Sequence, residues 1–303
     1  MESVKQQLKL GILGMSAGNG HPYSWSAIFN GYQPKYMREC PFPVIPQYLA
    51  AQQFPEDAIQ EARVTHIWTQ EQAISEHISQ ASNIPHIVTH YEDMIGQVDG
   101  ILLARDDPEY HYEMSAPFIR AGLPIFIDKP LAASMDEAKK MLELQVYEGQ
   151  VFTCSSLVYA KEFQLAATDR QAIGDIQFLD ATVPKDWKKY AIHIIDPALH
   201  LIGDQGEVAK VTNTGDGKIN ITTVKWTSGL HCVFKTLDAV ACPLSIRIFG
   251  SKGFKELVFR DTFYAFKQSL LHFVKSIKSR TLPIPRTLTL KGIEIIEKGM
   301  IEI

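Results

Sequence analysis

Apolar positions follow two alternating rhythms through the first 130 residues. Short strand-like runs at 8–15, 64–68, 86–88, 100–104 and 124–127 alternate with helically spaced stretches at 24–29, 70–82, 91–95 and 108–121. Trp25, Ile28 and Phe29, for example, fall on one helical face. Strands separated by helices in this way feed a parallel sheet through right-handed crossovers. The 108–121 helix is expected to stop at Gly122, a residue suited to the left-handed turn that ends helices. The strand at 124–127 runs into Asp128-Lys129-Pro130, and a further helix is predicted over 136–147.

Residues 33–55 break the rhythm. Pro34, Pro41, Pro43, Pro46 and Pro55 stand among aromatic residues there. Proline inside a helix removes a donor and clashes with the preceding turn, so the segment predicts an irregular excursion near the cofactor or a partner subunit. From residue 151 the pattern changes to strand-like runs at 151–153, 176–183, 220–226, 231–234 and 245–249, with helices over 197–202 and 263–277. That mix predicts a mostly antiparallel open sheet backed by helices. The fold class is therefore α/β: an N-terminal Rossmann domain at 1–130, then a C-terminal α+β domain at 131–303 built on a mostly antiparallel open sheet.

A chain of 303 residues is long enough for two such cores. A net charge of −4 and a pI near 6.2 leave no basic stripe, and Lys188-Lys189 is too short to make one, so no nucleic-acid partner is expected. No apolar run reaches bilayer-spanning length, and residues 1–7 enter the first strand without the apolar core of a signal peptide. The expectation is a cytoplasmic protein with no membrane partner. Cys40, Cys154, Cys232 and Cys242 are scattered, with no CxxC pair and no histidine at zinc-ligand spacing, which predicts buried, reduced thiols and no metal.

The first turn, Gly11-Ile12-Leu13-Gly14-Met15-Ser16-Ala17-Gly18-Asn19-Gly20, has a strand before it and a helix after it. Small residues in that context let backbone N–H groups approach a pyrophosphate, so Gly14, Ser16, Ala17, Gly18 and Asn19 are candidate cofactor contacts. Ser16 stands where a second glycine is usual, and the alternative is a merely flexible strand-to-helix loop. NAD-binding domains place an acid at the end of the second strand for the ribose hydroxyls; here Thr69 and Gln70 occupy that tip. Thr69 is a candidate contact, and the choice of NAD or NADP stays open. Arg105-Asp106-Asp107-Pro108 and His111 follow the fourth strand at the end where open α/β sheets bind ligands, although Asp107-Pro108 is also an ordinary helix start. Asn19, His21 and Tyr23 are weaker candidates from the first loop.

Asp128-Lys129-Pro130, Asp196-Pro197-Ala198-Leu199-His200 and Ile248-Phe249-Gly250-Ser251-Lys252-Gly253, in that order, resemble motifs of the glucose-fructose oxidoreductase, inositol dehydrogenase and rhizopine-catabolism (Gfo/Idh/MocA) family. The resemblance spans almost the whole chain. It implies Lys129 at the nicotinamide and substrate ahead of a cis-proline at Pro130, Asp196 and His200 facing the reacting carbon, and cofactor contacts from Arg105 and Asp128. It also implies oligomerisation through the open sheet face, giving a homodimer or homotetramer. Asp128 replaces the usual glutamate, Ala198 replaces a glycine, and Tyr190-Ala191-Ile192 stands where a glycine cluster is common.

The chemistry agrees with those residue types. Removing hydride from a secondary alcohol needs a base for the hydroxyl proton, and a histidine with a pKa near 6.5 suits that task. Asp196 lies four residues before His200, so on a helix both would meet one substrate, while Lys129 would polarise the same oxygen. Each has a plain alternative: Asp196-Pro197 as a helix start, His200 as a structural histidine, Lys129 as a solvated lysine. Trp187, Tyr190 and His193 are candidate substrate contacts, with Lys185 and Lys188 nearby. The reading is an NAD(P)-dependent oxidoreductase acting on a sugar, a sugar derivative or a cyclic polyol. Its rival is a catalytically silent relative that binds a sugar or nucleotide as a regulator or scaffold.

Overall fold

The computed structural model describes residues 7–300. Residues 1–6, expected to lead directly into the first strand, lie outside the described residues. The chain divides into two compact units, Met1–Leu131 with Lys139–Thr153 and Phe266–Pro283, and Ala132–Ala138 with Cys154–Ala265 and Ile284–Ile303.

In the first unit, strands β1 (Leu8–Leu13), β2 (Ala62–Trp68), β3 (His86–Ile87), β4 (Gly100–Leu103), β5 (Ile125–Ile127) and β6 (Val151–Phe152) form one parallel sheet in the order β3-β2-β1-β4-β5-β6. The strand order reverses between β1 and β4, and in such sheets the crevice outside the carboxyl ends at that point holds the ligand. Ile101, Leu102, Leu103, Ile125, Phe126 and Ile127 have no exposed surface, as expected of strands covered on both faces. Helices α1 (His21–Asn30), α2 (Pro34–Met37), α3 (Val44–Ala50), α4 (Gln72–Ala81) and α5 (His111–Arg120) connect the strands, and α6 (Met135–Glu143) precedes β6.

Two sequence expectations need correction here. The 33–55 excursion holds two short helices, because Pro34 opens α2, Pro43 caps α3 and Pro46 sits in the first turn of α3. Those are positions where a helix needs no donor. Val151–Phe152, grouped with the later strands by its sequence, instead pairs parallel with β5. A two-residue buried strand has no alternation with which to declare its sheet.

The second unit carries β7 (Ile176–Val183), β8 (Val208–Asn213), β9 (Asn220–Trp226), β10 (His231–Thr236), β11 (Ser245–Gly250) and β12 (Phe254–Val258), ordered β12-β11-β7-β10-β9-β8. Only β7 and β10 run parallel; the other neighbours are antiparallel. One face packs on α7 (Ala167–Ile173), α8 (Trp187–Tyr190), α9 (Ile192–Ile202) and α11 (Arg286–Lys298), and α10 (Thr262–Ser279) lies between α9 and α11 in the chain. The sequence pattern did not indicate β8, β12, α7 or α11. It also began α9 five residues late: Pro197 is inside the helix, so Asp196 is not its N-cap. The lost donor at Pro197 is tolerated because Ile194, Ile195, Ala198, Leu199 and Leu201 are buried around it. No helix among the described residues is long and apolar enough to cross a membrane. None of the four cysteines is in a disulfide; Cys40, Cys154 and Cys232 are buried and Cys242 is half-buried.

Candidate active site

The first unit gathers its polar groups at the carboxyl ends of β1, β4 and β5. Gly14 leaves β1 with φ 79°, and a side chain there would stand 2.5 Å from Cγ and Cδ of Arg105. The turn after it is pinned on both sides. Gln70 accepts the Met15 N–H at 3.0 Å and donates to the Met15 carbonyl at 2.7 Å, while the Asn19 N–H donates to the Ser16 carbonyl at 3.1 Å. Ala17 and Gly18, the latter at φ 81°, stay exposed at the tip, just ahead of the α1 N-terminus. An exposed amide pair at a helix N-terminus is suited to an anionic phosphate.

Below the turn, buried side chains connect it to Lys129. The Ser16 hydroxyl donates to Asp106 Oδ1 at 2.7 Å and accepts the Asp106 N–H at 3.2 Å. The other Asp106 oxygen lies 3.5 Å from Lys129 Nζ, and Lys129 is only 4% exposed. Asp128 accepts from Asn19 Nδ2 at 2.8 Å, from the Lys129 N–H at 2.8 Å and from His21 Nδ1 at 2.6 Å. Burial works to raise the Asp128 pKa, but the charges of His21 and Lys129 and these hydrogen bonds outweigh it and hold the carboxyl at about 2. The peptide bond between Lys129 and Pro130 is cis. His111, fully buried, bridges the carbonyls of Arg105 and Leu131 at 2.9 and 3.0 Å and so ties the ends of β4 and β5 together. His21 stacks on Trp25 and Trp25 on Phe126, carrying the cluster down into the core.

Two expected cofactor contacts are otherwise engaged. Arg105 pairs with Asp107 at 2.6 Å and lies over the Tyr110 ring. The Thr69 hydroxyl is buried, donating to the Glu71 carbonyl at 2.7 Å and sharing a 2.8 Å hydrogen bond with Ser75. Neither Trp68, Thr69 nor Gln70 supplies an acid at the end of β2.

In the second unit the polar groups centre on Ser155, which caps a 3-10 turn at Ser156–Tyr159. The Ser155 N–H donates to Asp196 Oδ2 at 2.7 Å, and its hydroxyl lies 2.8 Å from His193 Nδ1. His193 also faces the Tyr190 ring, 5.3 Å between centroids, and the Tyr190 hydroxyl is bonded to Lys185. Burial pushes the Asp196 carboxyl up to about 7, only partly offset by the Ser155 hydrogen bond. Trp187 sits in the core, 4% exposed, its indole N–H donating to the Ile296 carbonyl at 2.9 Å.

Asp196 and His200, expected to meet one substrate side by side, have different surroundings. Asp196 turns inward to Ser155, whereas half-buried His200 lines a cleft of about 470 Å³ with Arg170, Asp175 and Gln205. His200 Nδ1 lies 2.9 Å from the Asp196 carbonyl oxygen.

Comparison with known proteins gives these clusters a context. Residues 46–155 match the family model described as GFO_IDH_MocA, oxidoreductase family, NAD-binding Rossmann fold. That stretch is similar to the NAD-binding Rossmann domain of the family. No curated protein matches the chain by sequence. Among solved structures, scyllo-inositol dehydrogenase from Lactobacillus casei is similar at TM-score 0.75 and 14% identity, covering 97% of this chain and 95% of its own. Myo-inositol 2-dehydrogenase from Lactobacillus plantarum gives 0.72 and 16%, covering 96% of each chain. A probable dehydrogenase from Thermotoga maritima gives 0.73 and 15%, covering 95% of this chain and 94% of its own. At these identities the likeness is one of fold, and it extends over both units.

The Gfo/Idh/MocA match begins after the glycine turn and ends at Ser155, so it includes Asp106, Asp128 and Lys129. Sequence reasoning passed over Ser155, and it noted Asp106 only within the Arg105–Pro108 run and Gln70 only as a tip residue without an acid. Asp106-Asp107-Pro108 has the form of a helix start, and its link to Ser16 spans 90 residues. Ser155, in the run Cys154-Ser155-Ser156, carries no signal of its own.

Proposed function

We propose that this chain is an NAD(P)-dependent dehydrogenase or reductase acting on the CH–OH group of a sugar, a sugar derivative or a cyclic polyol. When bound, the nicotinamide would supply the hydride donor or acceptor for the substrate carbon. The observation that carries the reading is Lys129: a buried ammonium at the carboxyl edge of a parallel sheet, held by Asp106, which is itself bonded to the glycine turn. The family description supports the cofactor, and the inositol dehydrogenase neighbours motivate the substrate class.

The residues present fit a dinucleotide. Gly14, Ser16, Ala17, Gly18 and Asn19 would take its phosphates on the exposed tip amides, with Arg105, Asp128 and Thr69 shaping the walls around them. Lys129 donates to the substrate oxygen and favours its alkoxide character. A carbonyl oxygen only accepts, so the contact with the Asp196 carbonyl places the neutral His200 proton on Nδ1 and a lone pair on Nε2, where it takes the hydroxyl proton. Asp196 positions this helix through Ser155, and Tyr190 and His193 complete the substrate side, whereas Trp187, expected there from the sequence, packs in the core.

A cytoplasmic location and a homodimer or homotetramer accompany the reading. Phe254, 74% exposed, stacks with Phe249, which meets Phe178 in turn on one face of the second sheet, an apolar row suited to a second copy. The rival, a silent binding relative, draws on the Asp106 carboxylate beside the glycine turn. Titration with NADH and NADPH, followed by energy transfer from tryptophan to nicotinamide, tests the reading. Saturation by either, with NAD(P)-linked oxidation of an inositol or sugar that His200→Ala abolishes, is the expected result; no binding of either cofactor favours the rival.

A further inference from the structure

Strands β2 and β3 bring two histidines together at the edge of the first sheet. His66 and His86 are partners in the parallel register, and β3 is the edge strand. Their ring centres lie 4.8 Å apart with the planes tilted by 34°. His66 is half-buried and His86 is exposed. The two come from separate strands, so the sequence shows no chelate spacing between them.

Thr65 fixes what the His66 nitrogens do. Its hydroxyl donates to the Leu10 carbonyl at 3.4 Å, so its oxygen is the acceptor for His66 Nδ1 at 2.9 Å. The ring proton of neutral His66 therefore sits on Nδ1 and the lone pair on Nε2. A histidine that ligates a metal through one nitrogen has its other N–H held in this way. Burial first, then His86 and the charge of Lys9, keep the His66 pKa below its ordinary value, so at pH 7 the ring is in the neutral form that ligates. The His86 ring makes no hydrogen bond among the described residues, and it turns toward His66 without breaking one. Two imidazoles on one metal, each bound through nitrogen at about 2.0–2.1 Å, have ring centres roughly 5 Å apart. The observed pair already stands near that separation.

We propose that His66 and His86 form a two-histidine site for a late divalent transition-metal ion, with solvent in its remaining positions. Imidazole nitrogen suits nickel, copper and zinc, whereas magnesium and calcium take oxygen ligands. No group of three or more His, Cys, Asp or Glu side chains among the described residues could hold a metal ion, so the protein supplies two ligands here. The ion clips edge strand β3 to β2. The site goes beyond the oxidoreductase reading and does not rest on it.

Calorimetric titration of the full-length protein with Ni(II), which leaves the cysteine thiols unoxidised, tests the proposal. One ion should bind with a dissociation constant of about 1–10 μM, because two neutral ligands beside Lys9 hold a metal less tightly than a closed four-ligand site. His66→Gln and His86→Gln should each weaken binding by more than about tenfold. Thr65→Val, checked for folding by circular dichroism, keeps both ligands and should weaken it by about tenfold through the lost support of Nδ1. His231→Gln removes an exposed histidine of the second unit and should change nothing. Saturating Ni(II) should also raise the melting temperature of the wild type by a few degrees, and that of the two histidine variants not at all. Binding weaker than about 100 μM, or wild-type affinity in any of the three variants of the cluster, overturns the proposal. A loss in His231→Gln equal to that in His66→Gln would mean scattered surface binding and overturns it as well.

Discussion

Asp128 and Asp196 are both buried aspartates, yet one is held at about 2 and the other is pushed up to about 7. Burial raises the pKa of each. The difference lies in what stands beside them. Asp128 has His21 and the charge of Lys129 as well as hydrogen bonds, whereas burial at Asp196 is offset only by a backbone N–H from Ser155. The comparison teaches that depth alone does not set a carboxyl's charge; a cation within reach decides it. The first unit is therefore built to keep negative charge near its lysine, and the second to hold a carboxyl that titrates near neutrality.

Removing the cation is the most severe way to break that contrast. Lys129→Met should lower turnover by about 10²- to 10³-fold, the usual cost of losing one donor to a developing oxyanion. NADH should still saturate the variant in a fluorescence titration; loss of cofactor binding instead would place Lys129 in cofactor anchoring. Replacing the other partner acts on stability. Asp128 has a folded pKa below its unfolded value, so its contribution is present above about pH 4 and is lost as pH falls through about 2. His21→Leu should cost about 1–3 kcal/mol at pH 7 in urea unfolding and move the acid transition to higher pH. An acid limb identical to wild type would show that His21 does not sustain the depressed pKa.

How far the sequence discloses these two regions follows from how local their signals are. The Rossmann half was legible because β4 and β5 are continuous apolar runs, and β1 is one from Leu10 onward, each near helices of clear period. Gly14 and Lys129 were legible because each sits where a strand ends. The second unit was harder to read. β12 offers five residues, and its exposed Phe254 breaks the alternation. The start of α9 was hidden by Asp196-Pro197, a pair that imitates a helix beginning while lying in the middle of one. The contacts of greatest chemical interest, Ser16 with Asp106 and Ser155 with Asp196, join residues 90 and 41 positions apart. No local pattern records such a pairing.

The second carboxyl gives a gentler test, and its sign is opposite. Asp196 is raised above the unfolded value near 3.9, so between about pH 4 and 7 the folded chain holds more protons than the unfolded one. Stability from this group is present below about pH 4 and is lost as pH rises toward 7. Asp196→Asn keeps an oxygen to accept the Ser155 N–H and removes the titration. Its melting temperature should fall less than that of the wild type between pH 5 and 8, by a few degrees. Parallel melting curves across that range would mean that Asp196 is ionised throughout, and the contrast with Asp128 would be lost.

The smallest expected effect concerns where the first unit does not place an acid. Its carboxylates Asp106 and Asp128 follow β4 and β5, while the end of β2 carries Trp68, Thr69 and Gln70. A carboxylate at that tip is what favours the free ribose hydroxyl over a 2′-phosphate. Without one, NADH and NADPH should bind with dissociation constants within about tenfold of each other, a difference of no more than about 1.4 kcal/mol. Gln70→Glu keeps an acceptor for the Met15 N–H and adds a negative charge beside the turn. It should weaken NADPH more than NADH and widen the gap by about a further tenfold. If both cofactors weaken equally, Gln70 acts only by bracing Met15, and discrimination between them lies elsewhere in the first unit.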